Sequence, residues 1–563
     1  MISVAADVKK LMKRFESLKL IRLPYQQHWE NIAEFTLPRK RGLTRKLAEG
    51  QKLTDSMYDM TPIEAAERLA LFLHGALAST AYPFFGMEMR NRRLMDVKSI
   101  ADWTEEAADL VLGSFTQSNW DAESPESLLD DVLFGTSAPL FLDEKPITMP
   151  GKRFGGLHFK AIPLAEAYLA ENHLGVIDTL FWNHTLAAET VYKLWGKKCS
   201  MATQRLAENA PYEPIDLLLA IYPRETPNRG PGAFSWEMPY AGCYVEIASQ
   251  TPLEERGFRE FPAPTGRWGK ANSDRIYGRG RGDVAYPDIR TLNEGERYKM
   301  MSWALAVFPP FMKDIGFAGS VRWLPGAEHE VDGKTFGMNP PIQPIKNDAR
   351  FDVANMEGEL KREAIRRAFF WSLTELPEKG PQMTAREVQI RLRIMQRALG
   401  VDPGRIRSEI LEPTIGRAFS MMLHAGVLPP PPDELFQLAG EEGAAIDIVY
   451  KGPLAMSQRS DDTIAIESQV DYALSLYERT QDPSVLDPVN LDEATWARAE
   501  YSSTPSKISR GKDQVAQIRA DRAKVQEAAA AREERNMMAD EMLKTAQAGK
   551  TGQEAAQAAG EQP

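Results

Sequence analysis

Two helical segments bracket a stretch that cannot be helical, and this arrangement limits the fold more than any other feature of the chain. Thr291-Leu292-Asn293-Glu294 reads as a capping box that leads a helix to Val307, where Pro309-Pro310 stops it. From Phe311 to Ile345 the composition turns to Gly, Pro and β-formers. Val321-Arg322-Trp323-Leu324 reads as a strand, and Pro340-Pro341-Ile342-Gln343-Pro344 excludes helix near the far end. Helical spacing resumes at Val353, Met356, Leu360, Ala364 and Ala368 and runs into Phe369-Phe370-Trp371. Leu376-Pro377-Glu378-Lys379-Gly380-Pro381 then breaks the chain. Thr384-Ala385-Arg386-Glu387 caps a further helix with Val388, Leu392, Met395 and Leu399 on one face and Gly400 as its stop. The order is helix, β insert, helix, loop, helix.

The remainder is mixed α and β. Thr61-Pro62-Ile63-Glu64 reads as a capping box with Pro at the first helical position, and Ile63, Ala66, Ala70, Leu73 and Leu77 follow at helical spacing. Between about Leu157 and Ser249, runs such as Val176 to Trp182 and Cys243 to Ile247 read as strands between polar or Pro-bearing turns. Pro403 and Pro413 divide or kink the helical region that continues to about Leu423, and Pro429 to Pro432 marks a boundary. After Lys507 the chain becomes Ala-rich, with Val515, Ile518, Val525 and Ala529 at coiled-coil-like spacing interrupted by Arg522. From Ala546 onward nothing large is left to bury, so disorder is expected. A chain of 563 residues that is 43% apolar can form three or four structural units, and no fixed-period repeat points to a solenoid or propeller.

The chemistry of an enzyme is hard to find. Gly333-Lys334-Thr335 and Gly549-Lys550-Thr551 resemble the end of a phosphate loop, but Glu328 and Lys544 stand where its first Gly belongs. The seven histidines are scattered, and His329-Glu330 lacks a second His four residues after the first. Cys199 and Cys243 give no paired-thiolate spacing and no disulfide framework, and no Gly-x-Ser-x-Gly elbow occurs. Asp130-Asp131 is chemically able to hold Mg²⁺, yet adjacent carboxylates diverge on a helix, and a solvated face is the preferred reading. No cofactor or metal is expected. Arg279-Gly280-Arg281-Gly282-Asp283 reads as a flexible turn. Arg39-Lys40-Arg41 with Arg45-Lys46 reads as a solvated loop that is also a local positive patch. A net charge of -11 argues against a protein that grips nucleic acid over its whole surface. The N-terminus has no continuous apolar core and no apolar run reaches about 18 residues, so neither export nor a membrane span is expected.

An ordered series of short stretches resembles the head-to-tail connecting, or portal, proteins of short-tailed (podovirus-type) bacteriophages. It includes Ala65-Ala66-Glu67-Arg68-Leu69 with His74-Gly75, Pro83-Phe84-Phe85, Phe134-Gly135-Thr136, Ile162-Pro163-Leu164 and Gly175 to Thr179. It continues through Gly257-Phe258, Arg267-Trp268, Tyr277-Gly278-Arg279-Gly280, Pro287-Asp288, Pro325-Gly326-Ala327, Met383-Thr384-Ala385 and Pro453-Leu454-Ala455. The resemblance spans about residues 10 to 505.

That resemblance implies a helix-rich α+β portal fold assembling as a ring with a central channel. An N-terminal wing region spans 1–287, the first stem helix 288–307, a β-rich clip 308–352 and the second stem helix 353–371. A channel loop follows at 372–383, a long kinked wing helix region at 384–428, a crown at 429–505, and the Ala-rich helix and tail at 506–563. Two readings stand for that last helix, a barrel extending the channel and a loose solvated helix. The implied function is a non-enzymatic ring, usually of twelve copies, at one capsid vertex of the virion, made in the host cytoplasm. Double-stranded DNA is packaged and later ejected through such a ring. The implied partners are the terminase large subunit, tail adaptor proteins, and the major capsid and scaffold proteins. Glu375, Glu378, Lys379, Lys361, Arg362, Arg366 and Arg367 are the candidate channel residues, and Arg322, Trp323 and Lys334 the candidate docking residues of the clip. The stem cations are equally readable as ion pairs between neighbouring subunits. The rival functions are a metal-dependent nuclease and an internal capsid or scaffold protein.

Overall fold

The computed structural model describes residues 4–44, 50–147, 154–228, 230, 234–270, 275–307, 309, 311–313, 342–344, 351–374, 402–435, 437–438, 445–451, 453–501 and 512–558. The chain divides into two compact units. Met1–Phe85, Asp109–Pro429 and Tyr450–Gln458 form the first, and Gly86–Ala108, Pro430–Val449 and Arg459–Pro563 the second.

In chain order the helices are α1 (Val4–Thr36), α2 (Thr61–Leu77), α3 (Arg92–Met95), α4 (Lys98–Thr116), α5 (Trp120–Phe134), α6 (Ala188–Trp195), α7 (Met201–Asn209) and α8 (Arg281–Val307). After them come α9 (Phe351–Ala368), α10 (Trp371–Thr374), α11 (Asp402–Arg405), α12 (Glu412–His424), α13 (Pro453–Thr480), α14 (Leu491–Tyr501) and α15 (Lys512–Ala558).

The first unit is organised by an antiparallel five-stranded sheet in simple sequential order. Its strands are β4 (Ala167–Glu171), β5 (Ile177–Ala187), β6 (Pro214–Pro223), β7 (Tyr240–Glu246) and β8 (Thr251–Phe258). Leu217 and Leu218 are neighbours in β6 and so serve opposite faces. Leu218 joins Phe181 and Val245 under the α1 stripe of Val8, Leu11, Phe15 and Leu18, while Leu217 packs with Val191, Cys199 and Leu253. Buried Arg22 continues the α1 stripe. Its guanidinium donates to the carbonyls of Leu164 (2.7 Å), Ala167 (2.6 Å) and Ala165 (2.9 Å) and lies over the Tyr168 ring at 3.7 Å. A buried charge persists here because its two terminal nitrogens meet carbonyl oxygens and its plane meets an aromatic face.

A second core joins α2, α4 and α5 to β3 (Leu157–Ala161), which pairs with β2 (Leu140–Glu144). Phe115 and Phe159 each stand 5.0 to 5.3 Å from Trp120 or from one another, and Trp120 Nε1 donates to the Ala78 carbonyl at 2.7 Å. Helix α5 ends on Gly135, whose φ of +73° suits glycine, and whose absent Cβ would stand 2.1 Å from the Arg279 carbonyl carbon.

In the second unit β1 (Phe85–Met89) pairs with β11 (Ile446–Tyr450), and Arg90 reaches Asp447 by Nε (3.1 Å) and Nη2 (2.9 Å). Arg498 bonds Glu467 at 2.8 Å and Arg519 bonds Asp492 at 2.6 and 2.7 Å, tying α13, α14 and α15 together. The described side chains of α15 are exposed almost throughout, Met537, Met538, Met542 and Leu543 among them.

Several expectations are corrected. Thr61 is the first helical residue, its N–H donating to Asp59 Oδ1 at 2.8 Å, and Met60 occupies the cap position. Helix α8 begins at Arg281, not at the Thr291 capping box, and carries Pro287 inside it. Burial of Gly282, Ala285 and Ile289 draws the helix back past the proline. The Arg279-to-Asp283 segment is thus no flexible turn: a Cβ on Gly280 would lie 2.6 Å from the Val132 carbonyl oxygen, and one on Gly282 2.3 Å from that of Leu133. Helix α9 runs from Phe351 to Ala368, and Phe370, with φ of +56°, separates it from α10. Asp130 and Asp131 are both buried, and Lys40 Nζ meets Asp130 at 2.6 Å from a segment 90 residues away. The Arg39-Lys40-Arg41 patch is spent on acids of its own chain. Arg39 meets Glu126 at 2.8 Å, and Arg41 meets Glu30 at 3.5 Å and Glu34 at 3.7 Å. Arg45 and Lys46 lie outside the described residues. Pro413 follows a π-helical stretch, Ile406–Leu411, which absorbs the change of register at the head of α12. Where disorder is expected from Ala546, α15 continues as helix to Ala558.

Candidate functional site

The helices that bracket the insert lie against each other, and their faces set the chemistry of the region. Between them, β9 (Phe311–Lys313) and β10 (Ile342–Pro344) pair antiparallel with Lys313 opposite Ile342, so the insert leaves and returns through a two-stranded neck. On the proximal half of α8, Ala285, Ile289, Leu292 and Glu296 recur at three- and four-residue steps and are buried. Asn293 anchors the neighbouring segment: its Oδ1 accepts from the Tyr58 N–H at 2.8 Å and its Nδ2 donates to the Ser56 carbonyl at 2.8 Å.

That anchoring delivers Asp59 to a charged node. Arg362 of α9 donates by Nε to Asp59 Oδ2 (2.8 Å), by Nη2 to Glu296 Oε1 (2.6 Å) and by Nη1 to Glu359 Oε1 (2.6 Å). Lys299 Nζ reaches the other Glu296 oxygen at 2.6 Å. Burial works against the Arg362 charge, but the hydrogen bonds from Asp59 and Glu359 outweigh it and hold the guanidinium pKa above its ordinary value. Gly358 leaves room for this, since a Cβ there would stand 3.2 Å from Glu296 Oε1. One turn away, Lys361 Nζ donates to Asp288 Oδ1 at 2.8 Å. Arg366 lies 5.8 Å from the Trp371 ring centroid, and Arg68 lies 4.3 Å from the same centroid. Arg367, on the exposed side, pairs with Glu363 at 2.8 Å.

The distal half of α8 is different in kind. Tyr298, Met300, Met301, Trp303, Leu305 and Val307 are all exposed, Trp303 by 65%, and at 100° per residue they spread over about 220° of the helix, the remaining arc holding Lys299, Ser302 and Ala306. Val353, Met356 and Leu360 of α9 are exposed too. An apolar arc this wide is ordinarily a buried one.

The family model for bacteriophage head to tail connecting proteins matches residues 8–509. This chain belongs to that family. A relative from Bordetella phage BPP-1, described as a probable portal protein, is 26% identical over 536 residues, covering 92% of each chain. The portal protein of Salmonella phage epsilon15 is 25% identical over 545 residues, covering 93% of each. A solved structure, the neck of a native GTA particle computed with C12 symmetry, shares 11% identity over 74% of this chain and 88% of that chain, with a TM-score of 0.29.

For this connector-family chain, the structure draws Lys361, Arg362 and Arg366 into contacts within one chain and leaves Arg367 on the surface beside Glu363. Glu375, Glu378, Lys379, Arg322, Trp323 and Lys334 lie outside the described residues, as does the first phosphate-loop-like stretch. The second, Gly549-Lys550-Thr551, lies within helix α15, without the strand-loop-helix setting such a site needs. Among the described residues no three His, Cys, Asp or Glu side chains gather where they could hold a metal ion, and no helix is long and apolar enough to cross a membrane.

Sequence reasoning missed Asp59 and Glu296 as the partners of Arg362, and missed the apolar girdle of distal α8. The girdle was signalled by Met300-Met301-Ser302-Trp303-Ala304-Leu305-Ala306-Val307, which has no polar face.

Proposed function

We propose that this head-to-tail connecting protein acts as a portal. Identical copies, twelve in the family resemblance, close into a ring at one capsid vertex, and double-stranded DNA passes inward and later outward through its channel. On this reading α8 and α9 are the stem, and the segment between them is the clip on which the terminase motor docks during packaging and the tail adaptor afterwards. The role is not enzymatic: the chemical energy of packaging comes from the motor.

The observation that carries this reading is the exposed apolar girdle of distal α8 with Val353, Met356 and Leu360 beside it. An apolar arc of about 220° is too wide for one neighbour to cover, and a heterologous contact repeated to closure supplies cover on both sides for every copy. The stem cations fit the same picture. Duplex DNA carries one charge per about 1.7 Å, and a wall of free cations would trap it by counterion release. Lys361 and Arg362 are instead neutralised by Asp288, Asp59, Glu296 and Glu359. With a net charge of -11 per copy, a ring presents a conduit with few adhesive points.

Light scattering coupled to size exclusion, run beside a Mg²⁺-dependent DNA cleavage assay, tests the reading. A particle of several hundred kilodaltons that leaves DNA intact is expected. A 63.1 kDa monomer, or a chain that cuts DNA unaided, contradicts it.

A further inference from the structure

The two ends of the five-stranded sheet carry opposite features. At one end β5 begins at Ile177 and Pro223 of β6 pairs with Tyr240 of β7. A half-open cavity of about 990 Å³ lies there, lined by Val176, Tyr240, Phe261, Arg267, Arg417 and His424 among others, with Leu174 and Val176 exposed at its lip. Its two buried arginines are answered unequally. Arg267 meets Glu171 at 2.9 Å, Glu409 at 3.2 Å and the Gly175 carbonyl at 2.7 Å. Arg417, equally buried, donates to the carbonyls of Leu142 (3.2 Å) and Glu260 (3.4 Å), and the carboxylate paired with it, that of Glu260, stands 3.8 Å away and is itself half-exposed. Burial lowers the Arg417 pKa to about 10, the mark of a guanidinium whose lost hydration is only partly replaced. The cavity is therefore apolar at its lip, and inside it Arg417 has only a distant, partly exposed carboxylate, that of Glu260.

At the other end, Pro214 of β6 pairs with Ala187 of β5, and Tyr212-Glu213 precedes that strand as an exposed turn. Tyr212 is 83% exposed, an aromatic side chain beside a carboxylate. The turn is held firmly. Glu213 N–H donates to the Ala210 carbonyl at 3.0 Å, and the N–H groups of Ala188 and Glu189 donate to the carbonyls of Glu213 and Pro211, both at 2.9 Å. Such a turn binds without first being ordered. From Pro214 to Pro223 the strand measures about 30 Å at about 3.4 Å per residue.

We propose that each copy of this chain seats its Tyr212-Glu213 turn in the cavity of the next copy. The Tyr212 ring lies on the apolar lip and the Glu213 carboxylate adds a second acid beside Arg417, whose own partner Glu260 stands 3.8 Å away. A projection at one end of the sheet and a socket at the other make a heterologous contact, the kind that closes a ring, whereas a two-fold contact needs the same patch on both partners. The inference rests on the ring reading above and adds which surfaces meet.

The test is a chain carrying Tyr212→Cys and Val176→Cys, treated with a short bismaleimide after assembly. Cys199 and Cys243 are buried and stay silent. Within one chain the two new thiols are too far apart to be joined, so each link must cross a subunit boundary. A ladder of covalent multimers is expected, while either single variant stops at dimers. Rings seen by electron microscopy without a ladder overturn this contact and leave the ring reading intact. A sample with no rings overturns both. Independently, Glu213→Lys should weaken assembly at least tenfold with an unchanged circular dichroism spectrum, and assembly equal to the parent chain overturns the role given to Glu213.

Discussion

The sheet-bearing body and the paired helices of the same compact unit solve the problem of apolar surface in opposite ways. Around the sheet the core rings are enclosed within the chain: Phe15 lies between Tyr168 and Phe181, and Trp120 is enclosed by Phe84, Phe115 and Phe159. On distal α8, Trp303 and its apolar neighbours are exposed among the described residues. On the proposed portal reading the body's core is complete within one chain, while the helix pair is completed by copies on either side. Folding and assembly are therefore written on different residues, and mutations should separate them.

The largest effect belongs to the body. Trp120→Ala removes a wholly buried ring and a hydrogen bond to Ala78, and should cost about 4 kcal/mol in urea unfolding of the dissociated chain. A loss below about 1 kcal/mol would deny that this cluster is the core. Next comes the charged node. Arg362→Ala strands Asp59 and Glu296, and a loss of about 2 kcal/mol is expected, with a smaller loss in the double variant that also carries Glu296→Gln. Equal and additive losses would show the two groups to be uncoupled.

A smaller effect is readable in pH. His184, stacked on Trp182 at 4.2 Å, is driven by burial, and further by the Lys160 charge, from an ordinary pKa of 6.5 to about 4. It is neutral in the fold, and below pH 6.5 the unfolded chain takes up its proton first, so stability falls as pH drops from 6.5 towards 4. On the order of 1 kcal/mol is involved once partial exposure is allowed for. His184→Gln should flatten that limb of the stability curve, and an unchanged slope would clear His184 of the role. Smallest in the isolated chain is Trp303→Ala, with a change within about 0.5 kcal/mol of unfolding free energy, since the ring is exposed there. The same substitution should shift assembly towards monomer, and a variant that unfolds earlier yet assembles normally would reverse the comparison.

Much of this was legible in the chain because it is local. The Ile63-to-Leu77 stripe, the strand runs in β5 and β7, and the proline stop after Val307 depend on periods of 2 or 3.6 residues and on the backbone limits of Pro. What escaped is what neighbours decide. The acids of Asp130-Asp131 are solvent-loving by composition and buried in fact, and the Asp130 charge is met by Lys40 from 90 residues away. Arg362 finds Asp59 across 303 residues, a pairing no spacing rule can anticipate. The start of α8 was misjudged because Pro287 looks like a boundary, whereas the glycines before it are fixed by their fit against Val132, Leu133 and Gly135. The order of helix, insert and helix was readable, and the question of which cations of α9 stay free was answered only by the acids folded against them.

Single-particle imaging of the purified, assembled chain bears most directly on the central claim that the uncovered helices are completed by copies of themselves around a channel. Closed rings are expected, with an axial opening wide enough for a DNA duplex and the Trp303 girdle lying between adjacent subunits. Isolated monomers, or solid particles with no axial opening, would contradict it.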